Sequence, residues 1–471
     1  MRTLSGEGAR FAGVDAERLV TMQRGFYFRG GTAEAGFRVE QLHKLEQVLI
    51  KNERGLIEAI VADLGRSLHA AYLSEIGSVL WESQYLRKRI RRWMRPQRVR
   101  ASAATFPGAA SIVPEPYGLS LIVAPWNYPI HLALIPAIGA IAAGNCVVIK
   151  PSELSVHTSA VLAEIINTAF DRSFLTVVEG DASTVQTLLD QEFDLVFFTG
   201  SSATGRSVLQ SASRTLTPTI LELGGKNPCI VDETADLANA ARRIAWGKFF
   251  NAGQTCLAPD HVIVDTRVER ELLGELQRSI QAFYGDDPRQ SSDYERIISA
   301  RHAERLCGLM PATGIVCGGA VEVEDRYVAP TVARGIAWDA PLMQEEIFGP
   351  ILPVICYREL EEVLARIRTA AKPLALYLFT RDRRRQRMVI QTTSSGAVCV
   401  NDVMLHSSVR SLPFGGVGES GMGAYHGRAS FEAFSHKKST LTRGRWPDWG
   451  MRYPPHRPPS RFLKWISAKM T

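Results

Sequence analysis

The chain has 471 residues, 45% hydrophobic and 22% charged, with a formal charge of +7. That balance fits an ordinary globular protein of two or three domains, or one large one, with a sizeable core. The basic excess sits in Arg87–Arg95 and from Arg443 onward, with no basic stripe along the chain. We read it as a solvated helix face, and a nucleic-acid partner is not expected.

Seven cysteines, an odd number, occur without a CxxC and without metal-ligand spacing beside histidines. They point to a reducing, cytoplasmic setting and to no metal. Cys146, Cys229, Cys307, Cys317, Cys356 and Cys399 sit mostly among apolar residues and read as buried thiols, whereas Cys256 lies in a polar loop. The start, Met-Arg-Thr-Leu-Ser-Gly, has no apolar run of the kind that a secretory signal needs.

In chain order, the first hundred residues read as helical, with Val39, Leu42, Leu45, Leu49, Leu56, Ile57 and Ile60 near helical spacing and Gly65 closing the run. Pro116 to Ile149 contains no Asp, Glu, Lys or Arg. Pro125, Pro129, Pro136, Gly139 and Gly144 interrupt it, so a membrane span is rejected in favour of strand, helix, strand, all buried. Apolar runs at 121–124, 146–149, 175–178, 195–198 and 219–223 alternate with helical stretches near 132–142, 157–170, 183–190 and 203–213. That alternation predicts a parallel, doubly wound sheet. A second series at 262–264, 351–355, 374–379 and 397–400 predicts a second α/β unit, jointed near Gly224-Gly225. The tail is proline-rich and ends in Arg461-Phe-Leu-Lys-Trp-Ile, an amphipathic turn or a frayed end.

Five stretches invite chemistry, and each has a plain structural alternative. Pro125-Trp-Asn-Tyr-Pro129 is a stiff turn, suited to a preorganised oxyanion donor or simply rigid. Lys150-Pro-Ser-Glu153 closes a strand and offers either ribose contacts or a surface ion pair. Gly200-Ser-Ser-Ala-Thr-Gly205-Arg206 is a strand-to-helix turn fit for a pyrophosphate. It nears a P-loop, but Arg206 stands where the lysine belongs, which makes an ATPase a poor reading. Glu222, between leucines before Gly224-Gly225-Lys226, is a general base raised by an apolar setting, or a strand-end acid paired with Lys226. Cys256, in Asn251-Ala-Gly-Gln-Thr-Cys, is a presented nucleophile or an inert thiol.

Taken together, Pro125–Pro129, Lys150–Glu153, Phe198–Ser201, Leu221–Lys226, Gly253–Cys256, Glu345–Pro350 and Leu412–Gly418 resemble the aldehyde dehydrogenase superfamily in order and spacing, over about residues 35–455. Arg242–Phe249, Cys256–Asp260, Lys372–Tyr377, Ser420–Gly427 and Arg452–Pro455 are similar to its class 3 branch, of fatty- and aromatic-aldehyde enzymes. Glu419 departs from the usual asparagine, and Arg461–Thr471 is a tail of this chain's own.

The resemblance implies an α/β fold. Residues 1–97 and 117–223 would form a Rossmann-like NAD(P)-binding domain, and 224–425 a catalytic α/β domain. Residues 98–116 and 426–445 would form a small bridging β element for a homodimer, and 446–471 the tail. It implies Cys256 as nucleophile, Glu222 as base for thioester hydrolysis, and the Asn127 amide with the Cys256 N–H as oxyanion donors. Lys150 and Glu153 would meet the adenosine ribose, Ser201 the pyrophosphate, and Glu346 the nicotinamide ribose beside Phe348. Trp126, Gly200, Gly205, Leu223 and Gly224 complete the expected cofactor contacts. The expected cofactor is NAD with NADP tolerated, and the expected substrate a medium- or long-chain aliphatic or an aromatic aldehyde. Ester hydrolysis would be a side activity, a cofactor-binding scaffold the non-enzyme alternative, and membrane contact through the tail weak.

Overall fold

The computed structural model describes residues 15–102, 105–446, 448, 452–455 and 461. The apolar end segment 462–466 lies outside them. Among the described residues, 95–114 and those from 437 onward form one compact unit, and the others another.

The uncharged stretch folds as expected. Strand Leu119–Val123 and strand Cys146–Lys150 are buried throughout, and so is helix His131–Ala143 from Leu132 onward. Full burial explains the lack of charge, since a helix covered on every side has no face for it. Among the described residues, no helix is long and apolar enough to cross a membrane. The helix stops at Gly144, at φ 102°. A side chain there would strike the buried Arg38 guanidinium, which caps the helix by donating to the carbonyls of Ala142 and Ala143.

The first sheet runs in the order Gly421–Met422, Thr219–Leu223, Leu195–Gly200, Leu119–Val123, Cys146–Lys150, Leu175–Val177. Its last five strands are parallel, joined by helices His131–Ala143, Val156–Ala169, Ala182–Leu189 and Ser202–Ser213. The doubly wound reading holds. Only Gly421–Met422 is antiparallel, and it comes from far along the chain to lie against Leu221 and Glu222. Two residues are too short a run to announce a strand.

The second sheet runs Ile315–Cys317, Thr331–Arg334, Ile351–Tyr357, His261–Asp265, Pro228–Val231, Ala375–Phe379, Ala397–Val400. It is parallel except for its first strand. Strands Pro228–Val231, Thr331–Arg334 and Ile315–Cys317 of this sheet were not expected. The chain passes between sheets at 224–227, the expected joint. The small unit carries a third sheet, Gln97–Val99, Ala109–Pro116 and Ser435–Thr442.

The cysteine expectation needs correcting. Cys146 and Cys229 are buried, but Cys317 and Cys399 are half-buried, and Cys307 and Cys356 exposed. Cys317 and Cys399 sit on the edge strands of the second sheet. Cys356 is next to last in its strand, past Leu352 and Val354, which share its face and are buried, and Cys307 lies on the outer face of helix Ala300–Leu309.

Candidate active site

In a doubly wound sheet, ligands bind beyond the C-terminal strand ends where the strand order reverses. Here that point lies between Leu119–Val123 and Leu195–Gly200. Pro125-Trp126-Asn127 leaves one strand and Gly200-Ser201 the other. Ser201 caps helix Ser202–Ser213, its hydroxyl accepting from the Thr204 N–H at 3.3 Å, so the first turn's free N–H groups open onto the crevice. Gly205 lets that helix close on the sheet, because a Cβ would stand 2.7 Å from Leu223 Cδ2. On the neighbouring strand the buried Lys150 donates to Glu153 at 2.7 Å. A glycine turn, a helix N-terminus and a Lys–Glu pair on one sheet edge fit a dinucleotide. Arg206, in the P-loop lysine position, is turned to the surface and pairs with Glu419, the residue that departs from the family pattern.

Glu222 ends the adjoining strand, opposite Thr199 on one side and Gly421 on the other. It is 2% exposed and its Oε1 has no hydrogen-bond partner. Burial alone raises its pKa well above the usual value. Lys226, its possible ion-pair partner, goes elsewhere: Nζ donates to Asp260 at 2.5 Å and to the carbonyls of Leu342 and Glu345 at 2.8 Å.

Cys256 lies where the polypeptide, leaving helix Leu237–Phe249, turns back toward strand His261–Asp265. Asn251, Ala252 and Gly253 are successively left-handed, at φ 54°, 48° and 75°. A Cβ on Gly253 would lie 2.3 Å from the Gly349 carbonyl oxygen, so glycine is required both for conformation and for space. The Asn227 amide donates to the Cys256 carbonyl at 2.6 Å and to that of Ala258 at 3.1 Å, while Tyr128 and Thr255 share a 2.7 Å hydroxyl bond. Burial pushes the thiol pKa well up, and Glu222 and Glu346 push it further. The N–H groups of Cys256 and Leu257 pull it down.

Asn127 is buried beside this turn and donates one amide hydrogen to the Gln254 carbonyl at 3.0 Å, leaving its second hydrogen for another acceptor. Asn251 donates to the carbonyls of both Asn127 and Gln254 at 3.0 Å. Arg66 donates to the Asn127 carbonyl at 2.8 Å and pairs with Glu75 at 2.9 Å, with both charged side chains fully buried. Glu75 in turn accepts from Ile130 and His131, fastening the start of the helix behind Asn127.

Glu346 reaches the joint between the sheets. A Cβ on Gly224 would fall 2.0 Å from its Oε2, so glycine makes room for the carboxyl. Burial and Asp260 raise its pKa to about 8, against the Gly225 N–H, Lys226 and Lys248. Phe348, at φ 47°, meets the Trp126 indole edge-on at 5.5 Å.

The fold thus gathers Asn127, Glu222, Cys256 and Glu346 at the joint, with Trp126, Phe348, Leu223 and Gly224 around them. Lys150, Glu153, Gly200, Ser201 and Gly205 lie along the first sheet's edge. Sequence reasoning missed Arg66, Glu75, Asn227, Asn251 and Gln254. Asn251 and Gln254 stood in the quoted cysteine stretch and could have been suspected. The others carry no local signal, because a charge that folding buries looks like any surface charge in the sequence.

Residues 30–440 match the model of the aldehyde dehydrogenase family. The chain is 43% identical to the dog "Aldehyde dehydrogenase, dimeric NADP-preferring", over 93% of this chain and 97% of that one. It is 44% identical to human "Aldehyde dehydrogenase family 3 member B1", covering 94% and 95%, which agrees with the class 3 likeness. It is 43% identical to the Staphylococcus aureus "4,4'-diaponeurosporen-aldehyde dehydrogenase", covering 94% and 96%. The solved structure described as the substrate-bound state of Staphylococcus aureus AldH superposes with a TM-score of 0.93 at 41% identity, over 98% of this chain and all of that one. The chain belongs to the aldehyde dehydrogenase family, and its reaction is the NAD(P)-dependent oxidation of an aldehyde to the carboxylic acid.

Proposed function

We propose that Cys256 attacks the aldehyde, with Asn127 and Glu222 serving the two halves of the reaction. The thiolate sulfur bonds to the carbonyl carbon, and the resulting oxyanion takes the free amide hydrogen of Asn127 and the Cys256 N–H. One such donor is worth about 10²–10³ in rate. Lys150, Glu153, Ser201 and Glu346 would hold a nicotinamide dinucleotide, which would supply the oxidising power as hydride acceptor. Loss of hydride from the former carbonyl carbon leaves a thioester on Cys256. Glu222 then takes a proton from water as its oxygen bonds to the acyl carbon, the C–S bond breaks, and the acid leaves. The observation that carries this reading is a buried, unpaired Glu222 carboxyl within electrostatic reach of the Cys256 thiol.

The substrate we propose is an apolar aldehyde, medium- or long-chain aliphatic or aromatic. Tyr128 and Phe250 stack at 6.5 Å, and Phe250 meets Trp246 at 5.9 Å, beside the cysteine loop. Such a wall favours a hydrocarbon chain or ring over a short polar group. We propose NAD as the preferred cofactor with NADP accepted, since Glu153 sets a carboxylate against a 2′-phosphate while Lys150 offers it a cation. The Rossmann-like and catalytic domains would be the units built on the first and second sheets. The small third sheet would be the bridging element of a cytoplasmic homodimer, all three residues of its edge strand Gln97–Val99 being exposed.

The test is a panel of hexanal, decanal, hexadecanal, benzaldehyde and cinnamaldehyde with NAD or NADP, following reduced-nicotinamide absorbance, with Cys256→Ala as control. Turnover that disappears in the variant supports the assignment, and the chain-length profile names the substrate class. Undiminished turnover in the variant overturns it.

A further inference from the structure

We infer that Asn227 is a positioning residue for Cys256, its side-chain amide fixing the middle peptide unit of the turn that presents the thiol. The inference rests on the nucleophile role proposed above for Cys256.

Cys256 and Leu257 are the two corner residues of a β-turn, closed by the Ala258 N–H, which donates to the Thr255 carbonyl at 2.9 Å. That bond ties down the first and last peptide units of the turn. It leaves the middle unit, made of the Cys256 carbonyl and the Leu257 N–H, without a partner of its own. The two commonest turn types differ by turning this unit over. Leu257 does not take a positive φ, which excludes the type II orientation. Asn227 is what holds the unit: its Nδ2 donates to the Cys256 carbonyl at 2.6 Å and to the Ala258 carbonyl at 3.1 Å. Among the described residues, no second donor reaches the Cys256 carbonyl. A trans peptide sets C=O and N–H on opposite sides, so pinning that carbonyl also aims the Leu257 N–H away from Asn227.

Asn227 is itself a fixed point. It is fully buried, its Oδ1 accepts from the Ala375 N–H at 2.9 Å, and its own carbonyl accepts from the Asp260 N–H at 2.9 Å. From the other side, Asn127 donates to the Gln254 carbonyl and Tyr128 bonds the Thr255 hydroxyl. The nucleophile therefore hangs between a clamp from the first sheet, before it in the chain, and one from the second, after it. Releasing the second clamp lets the sulfur and the Cys256 N–H move relative to the Asn127 amide, and a misplacement of about 1 Å can cost about 10²-fold in rate. The Leu257 N–H is also among the groups that pull the thiol pKa down, so turning its peptide over would let that pKa rise. Tyr377 offers a comparison within the same turn. It is buried, and its hydroxyl donates to the Leu257 carbonyl at 2.6 Å. That carbonyl belongs to the last peptide unit, whose N–H the turn bond already holds. Both side chains give the turn a short hydrogen bond, but only Asn227 secures a unit that nothing else secures.

The experiment compares Asn227→Ala, Asn227→Asp and Tyr377→Phe with the full-length parent. The aspartate keeps the size and the acceptor for Ala375, but presents oxygen instead of hydrogen to the two carbonyls. Aldehyde oxidation gives kcat and KM, and Cys256 alkylation is followed against pH. Alkylation of the buried Cys146, read by peptide mass spectrometry against the exposed Cys307, reports whether each variant is folded. We expect kcat to fall about 100-fold in Asn227→Ala and at least as far in Asn227→Asp, with KM within about threefold and Cys146 still protected. The Cys256 alkylation profile of Asn227→Ala should move to higher pH, although Glu222 and Glu346, the carboxyls that act on the thiol, are unchanged. Tyr377→Phe should keep kcat within about threefold and the parent's profile, because the turn bond still holds the last unit. The inference is overturned if a folded Asn227 variant keeps kcat within threefold, or if the Asn227→Ala profile does not move. It is equally overturned if Tyr377→Phe loses as much rate as Asn227→Ala, or if both Asn227 variants lose activity only as Cys146 becomes reactive. Cys256→Ala separates the two readings: full activity there would sink the nucleophile assignment itself.

Discussion

Glu222→Gln is the most telling substitution, because it changes one atom at a buried site with no other partner. Leu221 and Leu223 on either side are buried, Lys226 is engaged with Asp260, and the Glu222 Oε1 is unpaired. The glutamine therefore forfeits no ion pair and keeps the volume, so a lost rate reports lost proton transfer. A positioned general base is worth about 10²–10⁴ in rate, and kcat should fall by that much. Because Cys256 and its oxyanion donors are untouched, the first half of the reaction should survive. Rapid mixing with aldehyde and NAD should show a burst approaching one reduced nicotinamide per subunit, then slow turnover. The wild-type rate should climb as pH rises above the ordinary carboxylate range, since burial raises the Glu222 pKa and only its ionised form accepts the proton. The same shift has a stability sign. The folded state holds this proton more tightly than the unfolded chain, so stability falls as pH rises from the ordinary carboxylate range toward the raised pKa. Glutamine removes that slope, and the Tm of the variant should decline less than that of the parent as pH rises above the ordinary carboxylate range. Steady turnover within threefold of wild type at neutral pH would refute the reasoning.

Three further outcomes follow from particular contacts. Glu153→Gln removes the carboxylate proposed to face the 2′ position and should raise the ratio of kcat/KM for NADP over NAD about tenfold, or about 1.4 kcal/mol; an unchanged ratio would place the ribose elsewhere. Arg66→Met strands the buried Glu75 carboxyl and frees the Asn127 carbonyl, at about 3–5 kcal/mol. Calorimetry should show a Tm several degrees lower, and a drop of about one degree or less would show that Glu75 is satisfied without it. Deleting 456–471 should reduce co-sedimentation with anionic vesicles if the basic, aromatic tail touches membranes, and unchanged binding would dismiss that contact.

Much of this molecule was written in local pattern. The five parallel strands of the first sheet were visible as short apolar runs between helical stretches, because strands covered on both faces must be apolar throughout. The uncharged stretch from Pro116 to Ile149 read correctly as buried, since its prolines and glycines broke any continuous span. The residues of the joint were legible too, as family-like motifs at family-like spacing. Tertiary structure alone decided the rest. Strand Gly421–Met422 exists only because Leu221 and Glu222 offer it an edge, and Pro228–Val231 because His261–Asp265 and Ala375–Phe379 flank it. Cys356 proved exposed near the end of its strand although Val354 and Leu352 on the same face are buried, and Cys307 on the outer face of its helix, a property of packing partners and not of neighbouring residues. Likewise Arg66 and Glu75 became a buried ion pair behind Asn127, tied to Asn127, Ile130 and His131 by contacts from a distant part of the chain. Periodicity reveals which face of an element is apolar; which charges end up sealed behind that face is settled only when the elements meet.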